Sequence, residues 1–463
     1  MNKKSILASL LSFSSLFSLG QQAALPKLKV SANKRFIVTE KGDPFFWLGD
    51  TGWLLFGKLS REEAEKYLED RRQKGFNVVQ VMALHTVGAV NVYGDKALHN
   101  KNVAQPATTP GNDPSDSTQY DFWDHADYII DLAAQKGIYM GLVPVWGTNV
   151  GEGMVAEKDA KVYAAFLANR YKDRSNIIWL NGGDIKGSDS LNTWKTIGRT
   201  INQIDNNHLI TFHPRGRTTS SVWFHNEPWL DFNMFQSGHR RYEQDTTKGE
   251  PFHYGEDNWK FVQHDLALKP LKPTIDGEPS YEAIPHGLHD SLEKRWTDAD
   301  VRRYGYWSVF AGGFGYTYGH NDVMQMRKPT ERSGAFGSLY NWYDAISHPG
   351  AGQMVHLKNL VLSKPFLERV PDQSLVAGAP GQRYDRILAT RGKNYAFLYT
   401  YTGRNFSVNM GRIAGAKVKA SWYDPRTGDK QAIGSFANKG VKAFNPPGEK
   451  KDGNDWVLIL ESL

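Results

Sequence analysis

The 463-residue sequence contains no cysteine, so the chain can form neither a disulfide nor a thiolate metal site. No Gly-x-Gly-x-x-Gly follows a predicted strand, which removes the main cofactor motif of doubly wound sheets. No His-Glu-x-x-His or Gly-x-Ser-x-Gly occurs, which argues against zinc peptidases and serine-nucleophile hydrolases. His286 and His289 lie in a loop without an obvious third ligand. The sequence therefore predicts no cofactor and no catalytic metal.

Long runs of one charge are also absent. The formal net charge is +7, and without a basic run or a nucleic-acid motif the sequence predicts no nucleic-acid partner. A mildly basic chain favours acidic partners, such as a polysaccharide that contains uronates. Aromatic residues, by contrast, make up 13% of the chain, which suits a core and also a cleft that stacks sugar rings.

One apolar stretch lies at the start of the chain. Residues 6–19 are apolar and rich in serine and follow Lys3 and Lys4, and the small residues Ser18 and Gly20 lie at the end of the stretch. This pattern predicts a signal peptide over residues 1–20, a mature chain that begins near Gln21 without a membrane span, and export to the periplasm or beyond. An uncleaved anchor is the alternative, although the stretch is short and serine-rich for a span.

Between about residues 45 and 345, short apolar runs alternate with amphipathic stretches. Eight runs are apolar throughout, as buried parallel strands are: 45–48, 78–82, 139–143, 177–180, 209–212, 231–235, 273–275 and 314–318. Helix patterns cover 60–74, 120–136, 159–172, 190–204 and 297–311. The alternation predicts an α/β fold, a (β/α)8 TIM barrel over residues 21–365, with an open doubly wound sheet as the competitor.

The pattern changes after residue 365. Five short strand patterns occur at 386–390, 395–399, 406–410, 418–423 and 456–460, with turn residues between them. They predict a small C-terminal all-β sandwich domain over residues 366–463. Within the barrel, the long loop 86–119 follows the second strand and is predicted to form a wall of a substrate cleft.

Two carboxylates stand in matching contexts, each after an apolar run and a glycine. Asp184 ends the segment 176–184 and Glu278 lies in 272–279, so the two acids are 94 residues apart. A β/α unit takes ~30 residues, which places the acids at the ends of strands four and seven. Two carboxylates facing one cleft are the minimum for cleaving a glycosidic bond. The alternatives are a helix-capping role for Asp184 and a strand-end salt bridge for Glu278.

Other polar and aromatic side chains follow the remaining strands, where barrel enzymes have their active sites. The predicted substrate-binding residues are Asp50, Trp53, His85, Trp146, His213, Arg215, Gln236 and His320. Asp50 is expected to bind sugar hydroxyls and Trp53 to stack on a ring, with a capped turn and a core position as the alternatives. Arg215 is expected to pair with a substrate carboxylate or with Asp184.

Four segments in order, residues 45–53, 76–81, 179–184 and 276–279, resemble the apiosidase-like glycoside hydrolases, bacterial enzymes with pectin-degrading relatives in the Bacteroides group. The resemblance covers about residues 30–365, and the remaining chain is similar to the small β-domain, labelled collagen-binding, that follows this catalytic domain.

The resemblance implies an exported retaining glycosidase acting on pectin-type bonds of an oligosaccharide or polysaccharide, with an apiosidase as one form. It makes Asp184 the acid/base and Glu278 the nucleophile, although related barrels usually have Asn-Glu where this chain has Gly-Gly-Asp. The alternative is a non-catalytic carbohydrate-binding protein on the same barrel.

Overall fold

A computed structural model describes residues 24–463, so the predicted signal peptide, 1–20, lies outside the described residues. The described chain opens with an antiparallel sheet of β1 (Leu28–Val30), β2 (Ile37–Thr39) and β3 (Pro44–Phe45). The larger sheet that follows contains β4 (Trp47–Thr51), β5 (Val78–Met82), β6 (Tyr139–Val143), β7 (Ile177–Ile185), β8 (Ile210–Pro214), β9 (Thr218–Thr219), β10 (Asn233–Gln236), β11 (Thr274–Asp276) and β12 (Gly315–Tyr318).

The larger sheet closes into a barrel. Its strand order is β8-β7-β6-β5-β4-β12-β11-β10-β9, and all neighbouring pairs are parallel except β9 with β10. Between β8 and β10 the gap is closed by hydrogen bonds from the Asp231 N–H to the Ile210 carbonyl, 2.9 Å, and from the Thr211 hydroxyl to the Phe232 carbonyl, 2.7 Å. The predicted TIM barrel is confirmed, and the open-sheet alternative is wrong.

Helices cover the outside of the barrel, as parallel strands with crossover connections require. They are α1 (Leu55–Lys58), α2 (Arg61–Gln73), α3 (Phe122–Gln135), α4 (Gly147–Gly151), α5 (Glu157–Tyr171), α6 (Leu191–Ile204), α7 (Ser221–Phe224), α8 (Trp259–Ala267), α9 (Asp298–Phe310), α10 (Asn321–Met324), α11 (Trp342–Ala345) and α12 (Pro349–Leu362). A capping box of Ser60 and Glu63 opens α2. No described helix has the length and apolar character needed to cross a membrane.

The two ends of the barrel differ. Trp47, Phe232 and Phe314, which lie at or just before the starts of their strands, pack edge-to-face with ring centroids 5.4–6.4 Å apart and fill the N-terminal end. The C-terminal end is left open. There the long loop after β5 is held by antiparallel bridges between Val90 and Lys96 and between Leu98 and Pro106.

The C-terminal strands are β13 (Val370–Pro371), β14 (Val376–Ala377), β15 (Ile387–Arg391), β16 (Tyr395–Thr400), β17 (Phe406–Asn409), β18 (Lys417–Tyr423), β19 (Lys430–Ala437), β20 (Val441–Phe444) and β21 (Trp456–Ser462). They form two sheets, β13-β15-β16-β21-β18-β19 and β14-β17-β20. Tyr399 of β16 stacks on Tyr306 of α9 at 4.7 Å, and Asp455 accepts two hydrogen bonds of 2.9 Å from Arg302. The β-domain therefore packs on the outside of the barrel, against the helix between β11 and β12.

Candidate active site

A cleft of about 500 Å³ lies at the C-terminal ends of the barrel strands. It is lined by seven of the ten side chains predicted from the sequence, namely Trp53, His85, Trp146, Asp184, Arg215, Gln236 and Glu278. A groove lined by residues 86–90, together with Trp53 and His85, adjoins the cleft. The start of the long loop after β5 therefore faces the space next to the carboxylates.

Glu278 lies two residues after β11 and is buried, with 6% of its surface exposed. The His239 Nε2 lies 3.0 Å from its Oε1 and the His213 Nε2 lies 3.3 Å from its Oε2. Burial acts to raise the pKa of Glu278, but contacts with His213 and His239 outweigh it and lower the pKa to about 2. Glu278 is therefore held as a carboxylate.

The second nitrogen of each ring shows how both histidines face Glu278. The backbone N–H of Asp184 points at His213 Nδ1 and that of Tyr281 points at His239 Nδ1, each at 3.4 Å. With Nδ1 as the acceptor, a neutral ring carries its proton on Nε2, towards Glu278. The Oε2 of Glu278 nevertheless has no well-aligned hydrogen bond from a described residue.

Asp184 is positioned by an irregular end of β7. Gly182, Gly183 and Asp184 all have positive φ, at 94°, 112° and 47°, and the pairing with β8 shifts register between Gly182 and Ile185. A Cβ on Gly183 would lie 2.6 Å from Cε3 of Trp146. Glycine is needed there for both conformation and space, and the bulge turns Asp184 into the cleft.

Asp184 has electrostatics opposite to those of Glu278. Its side chain is open to solvent on the cleft side, while protein surrounds it on the others. Partial burial, followed by the negative charge of Glu278, raises its pKa to about 6, against smaller opposing effects of His213 and His239. A bound sugar would displace the cleft water and strengthen the desolvation. Asp184 is thus suited to carry a proton while Glu278 is ionised.

Aromatic rings form one side of the cleft. Trp53 and Trp146 pack with centroids 5.2 Å apart, and Trp53 packs edge-on against His213 at 5.3 Å. The indole N–H of Trp53 donates to the Tyr281 hydroxyl at 3.2 Å, which fixes the ring. Flat apolar faces beside a carboxylate pair suit the stacking of a sugar ring.

Three predicted site residues do not line the cleft. Asp50 forms a 2.7 Å ion pair with Arg71 and accepts a 2.6 Å hydrogen bond from the Tyr67 hydroxyl, within the barrel wall. His213 contributes from behind Glu278. The Nε2 of His320 lies 2.9 Å from Nδ1 of His348, and its Nδ1 accepts from the N–H of Asp322 at 3.1 Å at the start of α10.

The loops after β8 and β10 bring cations to the opposite side of the cleft. Arg215 donates to Glu250 at 2.7 Å and Arg217 donates to Asp245 at 2.9 Å. Arg240 also lines the cleft, yet it forms no ion pair within residues 24–463 and donates instead to the Thr247 hydroxyl at 2.9 Å. This side of the cleft thus keeps one positive charge that no neighbouring carboxylate neutralises.

His239, Tyr281, Arg217 and Arg240 were not predicted, because they lie in loops several residues beyond the strand ends. Only their proximity in sequence to Arg215, Gln236 or Glu278 could have drawn attention to them. Across the described residues, no three His, Cys, Asp or Glu side chains are grouped so that they could hold a metal ion.

A pair of carboxylates faces one cleft at the C-terminal ends of the TIM-barrel strands, as glycoside hydrolysis requires. The chain belongs to the family described as "Apiosidase-like, catalytic domain", which matches residues 31–368, and the predicted resemblance is confirmed. Residues 370–461 match the family described as "Putative collagen-binding domain of a collagenase".

Solved structures agree with this assignment. A protein described as "Glycoside hydrolase" is 52% identical, with a TM-score of 0.89 over 94% of this chain and 97% of its own. A glycoside hydrolase family 5 from Bacteroides vulgatus ATCC 8482 is 48% identical, with a TM-score of 0.90 over 95% of both chains. A search of curated proteins finds no match. The protein is therefore a glycosidase, and its substrate is a carbohydrate.

Proposed function

We propose that this glycosidase works with retention of configuration, with Glu278 as the nucleophile and Asp184 as the acid/base. The observation that supports the proposal is the opposite displacement of the two pKa values in one cleft, to about 2 for Glu278 and to about 6 for Asp184. A retaining glycosidase needs one carboxylate that is ionised and one carboxyl group that is protonated before reaction.

In the first step, Glu278 attacks the anomeric carbon while the glycosidic C–O bond breaks and the Asp184 proton moves to the leaving oxygen. In the second step, ionised Asp184 takes a proton from water, which attacks the same carbon and releases Glu278. The ester formed between the steps has no charge. Because the charge of Glu278 helps to raise the pKa of Asp184, its loss lowers that pKa when Asp184 has to act as a base.

Pectin-type polysaccharides are the proposed substrates, and apiosides among them are the first candidates because of the family's description. The charge of the cleft supports an acidic substrate, since Arg240 lacks a carboxylate partner among the described residues. Export to the periplasm or beyond is part of the proposal and rests on the sequence of residues 1–20 alone.

The test is hydrolysis of a panel of pectic and hemicellulosic oligosaccharides by the protein that begins at Gln21, with the Glu278→Gln variant as control. Proton NMR in the first minutes of reaction reads the anomeric configuration of the released sugar. Retained configuration is expected. Inverted product would overturn the double-displacement mechanism, and hydrolysis of hemicellulosic substrates alone would overturn the pectin assignment.

A further inference from the structure

Three cations flank Asp184, and none of them pairs with it. Lys186 is two residues further along the chain, while Arg215 and Arg217 follow the adjacent strand β8. The backbone N–H of Arg215 donates to the carbonyl of Ile185 at 3.0 Å, so this arginine is anchored next to the acid. Its side chain is 38% exposed and lines the same cleft as Asp184. Arg215 and Asp184 therefore face the same open cleft.

All three cations instead face Glu250, which lies in the loop after β10. The Arg215 Nη2 lies 2.7 Å from Glu250 Oε1, the Arg217 Nη2 lies 3.8 Å from the same oxygen, and the Lys186 Nζ lies 3.7 Å from Oε2. The Glu250 side chain is 3% exposed, and no aligned hydrogen bond satisfies its Oε2 within residues 24–463. Glu250 is therefore a buried anion surrounded by the cations that flank the acid.

The groups that face Asp184 come from every neighbouring element. They are Glu278 after β11, His213 on β8, His239 after β10 and the backbone of Gly216. The groups that face Glu250 are the three cations above and, further away, Arg240. Asp245 holds Arg217 at 2.9 Å, so Arg215 is the cation for which Glu250 is the close partner.

We propose that Glu250 is a positioning residue that holds the guanidinium of Arg215 away from Asp184 and so keeps that acid able to carry a proton. The inference rests on the proposed role of Asp184. Physically, an opposite charge within about 4–6 Å of an aspartate lowers its pKa by about 1–3 units. A proton donor beside a free arginine would lose its proton before the substrate arrives. Arg215 can then face a substrate without neutralising the acid.

The decisive variant is Glu250→Gln, which keeps the shape and removes the charge. Protein labelled with ¹³C at the aspartate carboxyls is titrated by NMR, and the spectrum of Asp184→Asn identifies the Asp184 signal. The expected result is a fall of about one unit or more in the pKa of Asp184. Adding Arg215→Met to Glu250→Gln should restore the original value, because the released cation is then gone. Glu250→Asp, with a shorter reach, should give a smaller fall.

The matched control is Glu243→Gln in the same loop, where the exposed glutamate pairs with Arg383 instead. This variant also removes one negative charge, but it should leave the pKa of Asp184 unchanged. An unchanged pKa in Glu250→Gln, or a fall that persists after Arg215→Met, would overturn the role of Glu250.

A kinetic readout separates this inference from the proposed function. In the wild type, kcat/KM should decrease as the pH rises through the pKa of Asp184. In Glu250→Gln this decrease should move to lower pH, by as many pH units as the pKa of Asp184 measured by NMR falls. In Asp184→Asn the decrease of kcat/KM at high pH should disappear. If the decrease remains in that variant, Asp184 is not the acid and the proposed function fails. If the decrease is lost in Asp184→Asn but lies at the same pH in Glu250→Gln as in the wild type, only the role of Glu250 is contradicted.

Discussion

The ends of β7 and β11 have matching sequences and opposite chemistry. Both strands run into a glycine and then an acid, but Asp184 lies on a bulge that is open to the cleft, whereas Glu278 is buried between two imidazoles. The glycines also differ. Gly183 has a φ of 112°, while a Cβ on Gly277 would lie 2.4 Å from the sulfur of Met234. Gly183 is needed for an unusual conformation as well as for space, whereas Gly277 is needed for space alone.

At both sites the strand sets the position of the acid, and the neighbouring groups set its protonation state. Burial acts to raise the pKa of both acids. Only at Glu278 do contacts with two imidazoles reverse the effect, while at Asp184 the charge of Glu278 adds to it. The two ends are therefore coupled, and changes at either one should be visible at the other.

The largest expected effect is that of Glu278→Gln. The amide fills the same volume and cannot attack the anomeric carbon, so turnover should fall by more than about 10⁴-fold. Because the negative charge is lost, the pKa of Asp184 should fall as well. Activity assays on the best pectic substrate measure the first effect and carboxyl NMR the second. Activity within tenfold of the wild type would remove Glu278 as the nucleophile.

The next effect in size is that of Asp184→Asn, and it should depend on the leaving group. General acid catalysis contributes about 10²–10⁴-fold, most with poor leaving groups. Natural glycosides should therefore slow strongly, while aryl glycosides with good leaving groups should slow much less in the first step. Azide should rescue the second step, since it needs no general base. Equal losses on both substrates without rescue would mean that Asp184 only positions the sugar.

A smaller loss of activity is expected from Gly183→Ala, which changes the end of β7 without replacing a carboxylate. The added Cβ would lie 2.6 Å from Trp146, at a φ that L-residues rarely adopt. Displacement of Asp184 should lower kcat/KM by on the order of 10²-fold. Gly153→Ala is the matched control, because Gly153 also has a positive φ, 76°, but no atom within 4 Å of the added Cβ. Equal losses in both variants would indicate general destabilisation.

Sequence patterns predicted the barrel because its strands are mostly apolar and alternate with amphipathic helices. They also indicated the strand-end acids, because position at a strand end is a local property of the chain. His239 and Glu250 follow β10 at distances of three and 14 residues, where the loop conformation decides what they contact. The strand β19 was not predicted because its side chains are mostly exposed and give no apolar run.

The same limit applies to Asp50, where the sequence showed a polar strand end but not the Arg71 that pairs with it. A pairing between distant segments forms only when the chain folds. Residues whose role depends on a partner far away in sequence are therefore the ones that local patterns miss.

The smallest expected effect is that of His239→Ala, and it concerns pH rather than maximal rate. Glu278 has a depressed pKa, so its ionised form, and with it the activity, is present at higher pH and is lost as the pH falls towards about 2. Removing the 3.0 Å donor should raise this pKa by about one unit and move the acidic limb of kcat/KM upwards. The upper limb, near pH 6, should move much less, because His239 has only a minor effect on the pKa of Asp184. His239→Gln retains an N–H donor and should shift the acidic limb less than alanine does.

The measurement is kcat/KM from the lowest pH at which the fold persists, checked by circular dichroism, up to pH 8. A displaced upper limb with an unmoved lower one would mean that His239 acts chiefly on Asp184 and does not stabilise the carboxylate of Glu278.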